Sequence, residues 1–175
     1  MLNDVEFKMS YSSGYDAPKE FFTEALIESK YFDLGLGFFS SSGIRSLAYG
    51  FAIFIANGGT MRVIINHILS KEDKESIENG LNAKQIDFEG KIIANFDRLV
   101  AVLSKADEHF FRCLSYLIST NRIEFVATIS PQGGIGHDKY GIFTDEIGNK
   151  VAFIGSANFS STALELNGET ITVIK

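Results

Sequence analysis

Two short stretches near the end of the chain decide how the rest is read: HDKYGIFTD, residues 137–145, and FIGSANFS, residues 153–160. The first stretch lies in a strand predicted over residues 137–144, and every second residue of a β-strand shares a face. His137 and Lys139 therefore point the same way, and an imidazole beside an ammonium is unfavourable unless an anion lies between them. The second stretch begins in a strand predicted over 150–155 and continues into a predicted loop and short helix over 156–165. It supplies backbone N–H groups, a hydroxyl and an amide at a strand end, which are the donors that surround a phosphate.

The order of these residues resembles the signature of the phospholipase D superfamily. That signature is His-x-Lys, an Asp five residues after the Lys, and then Gly-Ser-x-Asn or Gly-Ser-x-x-Asn. The matching residues are His137, Lys139, Gly155, Ser156 and Asn158. His-x-Lys occurs once in the sequence, which fits the small single-motif nuclease branch better than the two-motif lipases. The resemblance is specific over residues 137–169 and general before them.

One position departs from the signature. The Asp would fall at position 144, where this chain has Thr144, and Asp145 follows one residue late. Alternation puts position 144 on the face opposite His137, so the signature Asp is expected to be structural and not a phosphate contact. Asp145 is expected to begin a turn over residues 145–149. The departure weakens the lipase interpretation and leaves the nuclease interpretation mostly intact.

The resemblance implies a phosphodiesterase that needs no cofactor and no metal. His137 would attack phosphorus and form a phosphohistidine, and a second histidine would handle the proton of the leaving oxygen. Because the chain has one motif, this implies a homodimer in which two copies of His137 face each other across a two-fold axis. Lys139 and Asn158 would bind the phosphate oxygens, assisted by Ser156 and the backbone at Gly155. Glu169 would hold the other nitrogen of the histidine.

A second candidate phosphate-binding element lies earlier in the chain. The sequence predicts a buried strand over residues 31–39, a Ser/Gly loop at 40–43 and an apolar helix over 44–56. Ser41 and Ser42 are therefore candidates for a loop that borders the site. Serine and glycine also form ordinary turns and helix caps, so the pattern alone favours the structural interpretation. The resemblance to the superfamily, in which such a loop often borders the active site, slightly favours a functional role for Ser41 and Ser42.

The order of predicted elements indicates an α/β fold with a mixed β-sheet sandwiched between helices, formed as one domain over residues 1–175. Further strands are predicted over 5–9, 60–66, 122–127 and 169–174, and a loop over 10–15. A helix is predicted to begin at Asp16 to Pro18, with Asp16 as its cap and apolar residues on its inner side. A long helix, or two joined helices, is predicted between 95 and 118. Three further residues are predicted to have structural or surface roles: His67, His109 and Cys113.

Composition limits the classes of protein to which this chain can belong. The chain has 175 residues, 45% of them apolar and 22% charged, with 16 Phe and one Cys, which is typical of a folded domain with a Phe-rich core in a reducing compartment. We see no signal peptide and no apolar run long enough to span a bilayer, so a cytoplasmic protein without a membrane partner is expected. The net charge of −6 is unfavourable for non-specific DNA binding.

Three functions remain open at this stage. The leading hypothesis is a metal-independent endonuclease that acts on DNA as a homodimer. The alternative is a lipid phosphodiesterase or phosphatidyltransferase. The third is a catalytically idle DNA-binding or dimerisation module, for which the acidic net charge is the supporting feature. Similar short domains are fused to helicases or to restriction-enzyme specificity domains, so an N-terminal piece of a longer protein is also considered.

Overall fold

A computed structural model describes residues 1–36, 41–65, 117–118, 120–127 and 138–175. The sequence predictions for His67, His109, Cys113 and His137 lie outside the described residues. So does most of the helical pattern predicted between 95 and 118.

Within these described ranges, seven strands form one sheet in the order β1-β7-β6-β5-β2-β3-β4. Their bounds are β1 Ser10–Ser12, β2 Tyr31–Leu36, β3 Thr60–Ile65, β4 Ile123–Ala127, β5 Lys139–Thr144, β6 Lys150–Gly155 and β7 Thr170–Ile174. The neighbours β2, β3 and β4 are parallel, and every other pair in the sheet is antiparallel. The predicted α/β class with a mixed sheet is confirmed.

Helices flank the sheet. They are a short 3₁₀ helix at Leu2–Asp4, α1 Pro18–Ile27, α2 Ser41–Ser46, α3 Ala48–Ala56 and α4 Ser161–Glu165. α1 packs on α3 and α4, and α2 packs on α3 and α4. None of the helices within the described residues has the length and apolar character needed to cross a bilayer.

The core is rich in phenylalanine, as predicted. Phe21 and Phe22 of α1 are buried against Phe143 of β5 and Phe153 of β6. The ring centroids of Phe22 and Phe153 are 4.8 Å apart in an edge-to-face arrangement, the geometry that aromatic quadrupoles favour. Each buried ring contributes roughly 2 kcal/mol of hydrophobic stabilisation. These contacts hold α1 against the hairpin formed by β5 and β6.

The first strand was predicted in the wrong place. Residues 5–9 form no strand, and the predicted loop at 10–15 contains β1. Phe7 is buried against the ring of Phe21, but its backbone N–H donates to Val5 O at 3.1 Å and bends the chain locally. Of the alternating apolar residues in this stretch, Phe7 is buried and Met9 is exposed, and the strand that pairs with β7 is β1.

Two helix boundaries also differ from prediction. The residue that caps α1 is Ala17 and not the predicted Asp16, and its methyl side chain makes no cap hydrogen bond. The Asp16 carboxylate pairs with Lys8. The helix expected over 44–56 is two helices, α2 and α3, separated at Leu47, where φ is −103° and ψ is 20°. Pro18 at the first turn of α1 is as predicted.

The chain directions bring several strand ends to one edge of the sheet. β5 begins where β6 ends, because Lys139 pairs with Gly155. β7 begins at the same edge, because Gly155 also pairs with Ile171. β2 runs antiparallel to β5, so β2 ends there as well, and α2 begins soon after it. We call this edge the site edge.

Candidate active site

Lys139 opens β5 at the site edge. Its side chain is half-buried, and alternation along the strand places it on the same face as Gly141 and Phe143, the face that α1 covers. Its direct neighbour across the ladder is Gly155, which carries no side chain. His137 lies two residues before Lys139, outside the described residues.

Ser156 connects the end of β6 to Glu169. Its hydroxyl donates to Glu169 Oε2 at 2.5 Å and accepts from the backbone N–H of Thr170 at 3.2 Å. Its own N–H donates to Thr170 O at 3.0 Å. The structure thus joins Ser156 and Glu169, two residues that the sequence assigned to separate tasks. Both residues lie at the site edge. Their expected roles, phosphate binding by Ser156 and orientation of His137 by Glu169, stay predictions.

Asn158 carries an unsatisfied polar atom. Its Oδ1 is buried and has no hydrogen-bond partner among the described residues, while Ala157 and Phe159 on either side are buried. Leaving such a group unpaired costs about 1–3 kcal/mol, and native proteins avoid it unless a water, ligand or further group fits there. The amide is therefore anchored by its neighbours and available for a polar partner at the site edge.

The start of α2 lies against the same segment. A Cβ added to Gly43 would come within 2.8 Å of Phe159 O, so only glycine lets α2 approach this closely. Ser41 and Ser42 are the first two residues of α2. The prediction that Ser41 and Ser42 lie in a loop before the helix is therefore wrong, because they belong to the helix itself. The start of α2 lies next to the chain that follows Asn158, and a phosphate contact from the two hydroxyls stays a prediction.

Asp145 lies at the other end of β5. Five residue steps along β5 lead from Lys139 to Thr144, a rise of roughly 17 Å, so neither Thr144 nor Asp145 can contact the same phosphate as Lys139. Asp145 Oδ1 accepts from the N–H groups of Ile147 at 3.1 Å and Asn149 at 2.9 Å. The prediction that Asp145 begins the 145–149 turn is confirmed.

The Asp145 carboxylate has further partners. Its Oδ2 accepts from Asn149 Nδ2 at 2.8 Å and from the backbone N–H of Leu2 at 3.2 Å. Burial alone would raise the pKa of Asp145, but these hydrogen bonds outweigh burial and hold the pKa below its usual value. Asp145 therefore ties the amino-terminal 3₁₀ helix to the β5–β6 turn, which is a structural task.

A family of known domains matches most of this chain. The family described as "Cardiolipin synthase, PLD-like domain" matches residues 55–175, a range that includes the predicted site residues from His137 to Glu169. The chain belongs to this family. It is thereby a member of the phospholipase D superfamily, which includes phosphodiesterases and nucleases. A search of curated proteins gave no match.

Solved structures share the fold of this PLD-like domain. NucT from Helicobacter pylori is 15% identical, with a TM-score of 0.52, over 94% of this chain and 82% of that one. Nuc from Salmonella typhimurium, a phospholipase D family member, is 14% identical, with a TM-score of 0.52, over 94% and 80%. A mutant of yeast tyrosyl-DNA phosphodiesterase 1 is 10% identical, with a TM-score of 0.52, over 95% and 31%. At these identities the likeness establishes the fold.

Sequence reasoning missed one contact of the PLD-like domain. Ser13, just after β1, is hydrogen-bonded to the backbone of Glu169. The two residues are 156 positions apart, and Ser13 lies in a stretch that was predicted to be a loop. A polar three-residue strand such as β1 gives too little alternation to be recognised, so the sequence held no usable signal for this contact.

Gly155→Ala is expected to lower the free energy of unfolding by about 2 kcal/mol. A Cβ at Gly155 would come within 2.3 Å of Thr170 O and 2.8 Å of Ile171 Cα, so β7 would have to move away from β6. Gly168→Ala is the matched control, because a Cβ there would meet nothing within 4 Å. Urea denaturation measures both variants, and equal stability of the two would contradict this account of the glycine.

Proposed function

We propose that this PLD-like domain is a metal-independent endonuclease that cleaves DNA through a phosphohistidine at a site shared by two copies of the chain. The observation that supports this proposal most directly is that Lys139, Asn158 and the Ser156–Glu169 pair lie at the same edge of the sheet. All four residues follow His137 in the sequence. A DNA substrate is supported by the fold shared with tyrosyl-DNA phosphodiesterase 1, whose name states a bond to DNA.

The proposed chemistry uses two displacements at phosphorus. A neutral nitrogen of His137 attacks, the bond from phosphorus to the leaving oxygen breaks, and the partner's histidine donates a proton to that oxygen. Water then attacks the phosphohistidine, the partner's histidine takes its proton, and the phosphorus–nitrogen bond breaks. The ammonium of Lys139 and the amide of Asn158 stabilise the charge that gathers on the non-bridging oxygens. This cationic clamp performs the charge neutralisation that a metal ion performs in other nucleases.

The shared site follows from the count of motifs. Two histidines are needed, one as nucleophile and one as proton carrier, and the sequence contains one His-x-Lys. A two-fold axis beside the site edge supplies the second histidine from an identical chain. Sedimentation equilibrium at the concentration used for assays tests this step, since an active monomer would contradict it.

Cleavage of DNA is expected to continue in excess EDTA. Supercoiled plasmid and a labelled single-stranded oligonucleotide are incubated with the protein, with and without 10-fold excess EDTA over divalent ions, and products are separated on gels. Equal cleavage rates with and without EDTA support charge stabilisation by protein groups such as Lys139 and Asn158. Activity that disappears with EDTA and returns with added Mg²⁺ would overturn the proposed mechanism.

A lipid substrate is the second candidate, because the matching family carries the description "Cardiolipin synthase". The same His/Lys/Asn chemistry would then act on the phosphodiester of a phospholipid headgroup. Vesicles of phosphatidylcholine, assayed for released choline and phosphatidic acid, separate the two substrates. Release from vesicles without DNA cleavage would favour the lipid, and cleavage of DNA without release supports the nuclease.

A further inference from the structure

Ser13 is joined to Glu169 by three hydrogen bonds. The Ser13 N–H donates to Glu169 O at 3.0 Å. The Glu169 N–H donates to Ser13 Oγ at 3.1 Å, and Ser13 Oγ donates back to Glu169 O at 3.3 Å. We infer that Ser13 is a positioning residue that fixes the backbone of Glu169 at the site edge.

The hydroxyl of Ser13 is what makes this contact rigid. β1 is a three-residue edge strand, and a backbone bond at the end of so short a strand opens easily. Because the hydroxyl both accepts from the N–H and donates to the carbonyl of Glu169, the peptide groups on both sides of that residue are held. The turn that follows is itself fixed, with the Tyr15 N–H donating to Ser12 O at 3.2 Å.

The side chain of Glu169 is held from the opposite direction. Ser156 at the end of β6 donates to Glu169 Oε2, while Ser13 at the end of β1 holds the backbone of the same residue. Glu169 directly precedes β7, which lies between β1 and β6 in the sheet. Two serines from the two neighbouring strands therefore determine where its carboxylate lies.

The consequence for catalysis rests on the proposed function. If the Glu169 carboxylate orients the imidazole of His137, a displacement of about 1 Å would misalign the attacking nitrogen and cost roughly 10-fold or more in rate. Ser13 contacts no reacting atom in this scheme, so its effect passes entirely through Glu169. It should change kcat and leave KM for the oligonucleotide nearly unchanged.

The experiment compares Ser13→Ala with Ser12→Ala in the full chain. Ser12 is the matched control, because its hydroxyl also bridges β1 and β7, to Thr170 Oγ1 at 2.8 Å, without contacting Glu169. We expect Ser13→Ala to lower kcat about 10-fold, Ser13→Thr to restore most of it, and Ser12→Ala to change it less than twofold. In a Glu169→Gln background, Ser13→Ala should have little further effect, because the two residues act as one unit.

Amide hydrogen exchange provides a readout that does not depend on activity. The Glu169 N–H also donates to Asn167 O at 3.0 Å, and loss of its second acceptor in Ser13→Ala should make this amide exchange faster than in Ser12→Ala. This result supports the inference even if the wild-type protein cleaves no DNA and the proposed function fails. Equal exchange in the two variants, or equal losses of kcat, would overturn the inference. A full effect of Ser13→Ala in the Glu169→Gln background would overturn it as well.

Discussion

His137→Ala is expected to reduce phosphodiester cleavage about 10⁵-fold, below the detection limit of a plasmid assay. In the proposed mechanism this substitution removes both the nucleophile and the proton carrier, since the same residue serves each role in the two subunits. Wild-type protein mixed with labelled DNA and denatured rapidly should retain a covalent protein–DNA adduct. The variant should show none.

Lys139→Met is expected to lower the cleavage rate less than His137→Ala does. Loss of the ammonium removes one stabilising contact to the phosphate and keeps the nucleophile, so a smaller loss of about 10³-fold in kcat is expected. Lys150→Met is the matched control. It opens β6 opposite Thr144, at the far end of the same strand pair from Lys139, and should leave kcat within twofold. Cleavage or adduct formation that survives His137→Ala would contradict the phosphohistidine, and equal losses in both lysine variants would contradict the clamp.

The central hairpin could be predicted from sequence because its signals are local. Alternating apolar residues mark β5 and β6, and Gly148 in the turn adopts a φ of +94°, a conformation that glycine tolerates and most residues do not. The parallel strands β2 and β3 were recognised from short apolar runs. The hairpin register then brought Lys139 beside Gly155, so most of the candidate site followed from two correctly predicted strands.

The rest depended on contacts between distant parts of the chain. β1 is short and polar, and only its pairing with β7 makes it a strand. The break at Leu47 occurs within an apolar run that has helical character throughout, so composition could not reveal it. The bond from Ser156 to Glu169 required the register of β6 against β7. Sequence patterns predict elements, whereas such bonds are set by how the elements meet.

Asp145→Ala is expected to lower the free energy of unfolding by about 3 kcal/mol at neutral pH. The Asp145 side chain is only 2% exposed and accepts four hydrogen bonds. Removing it leaves the N–H groups of Leu2, Ile147 and Asn149 without that acceptor, and an unpaired buried donor costs about 1–3 kcal/mol. Part of that cost is recovered where water reaches the turn. Glu146→Ala, in the same turn but exposed, is the control and should change stability by less than 0.5 kcal/mol.

The same carboxylate makes stability depend on pH in a defined direction. Because its pKa is lower in the folded state than in the unfolded state, its contribution is complete above the unfolded value of about 3.9 and is lost as pH falls through the folded value. Denaturation midpoints of the wild type and Asp145→Ala should therefore differ most above pH 5, and the difference should shrink as the pH falls below about 3.9. A gap that stays constant as acid denatures the wild type would show that the charge of Asp145 is not what stabilises the turn.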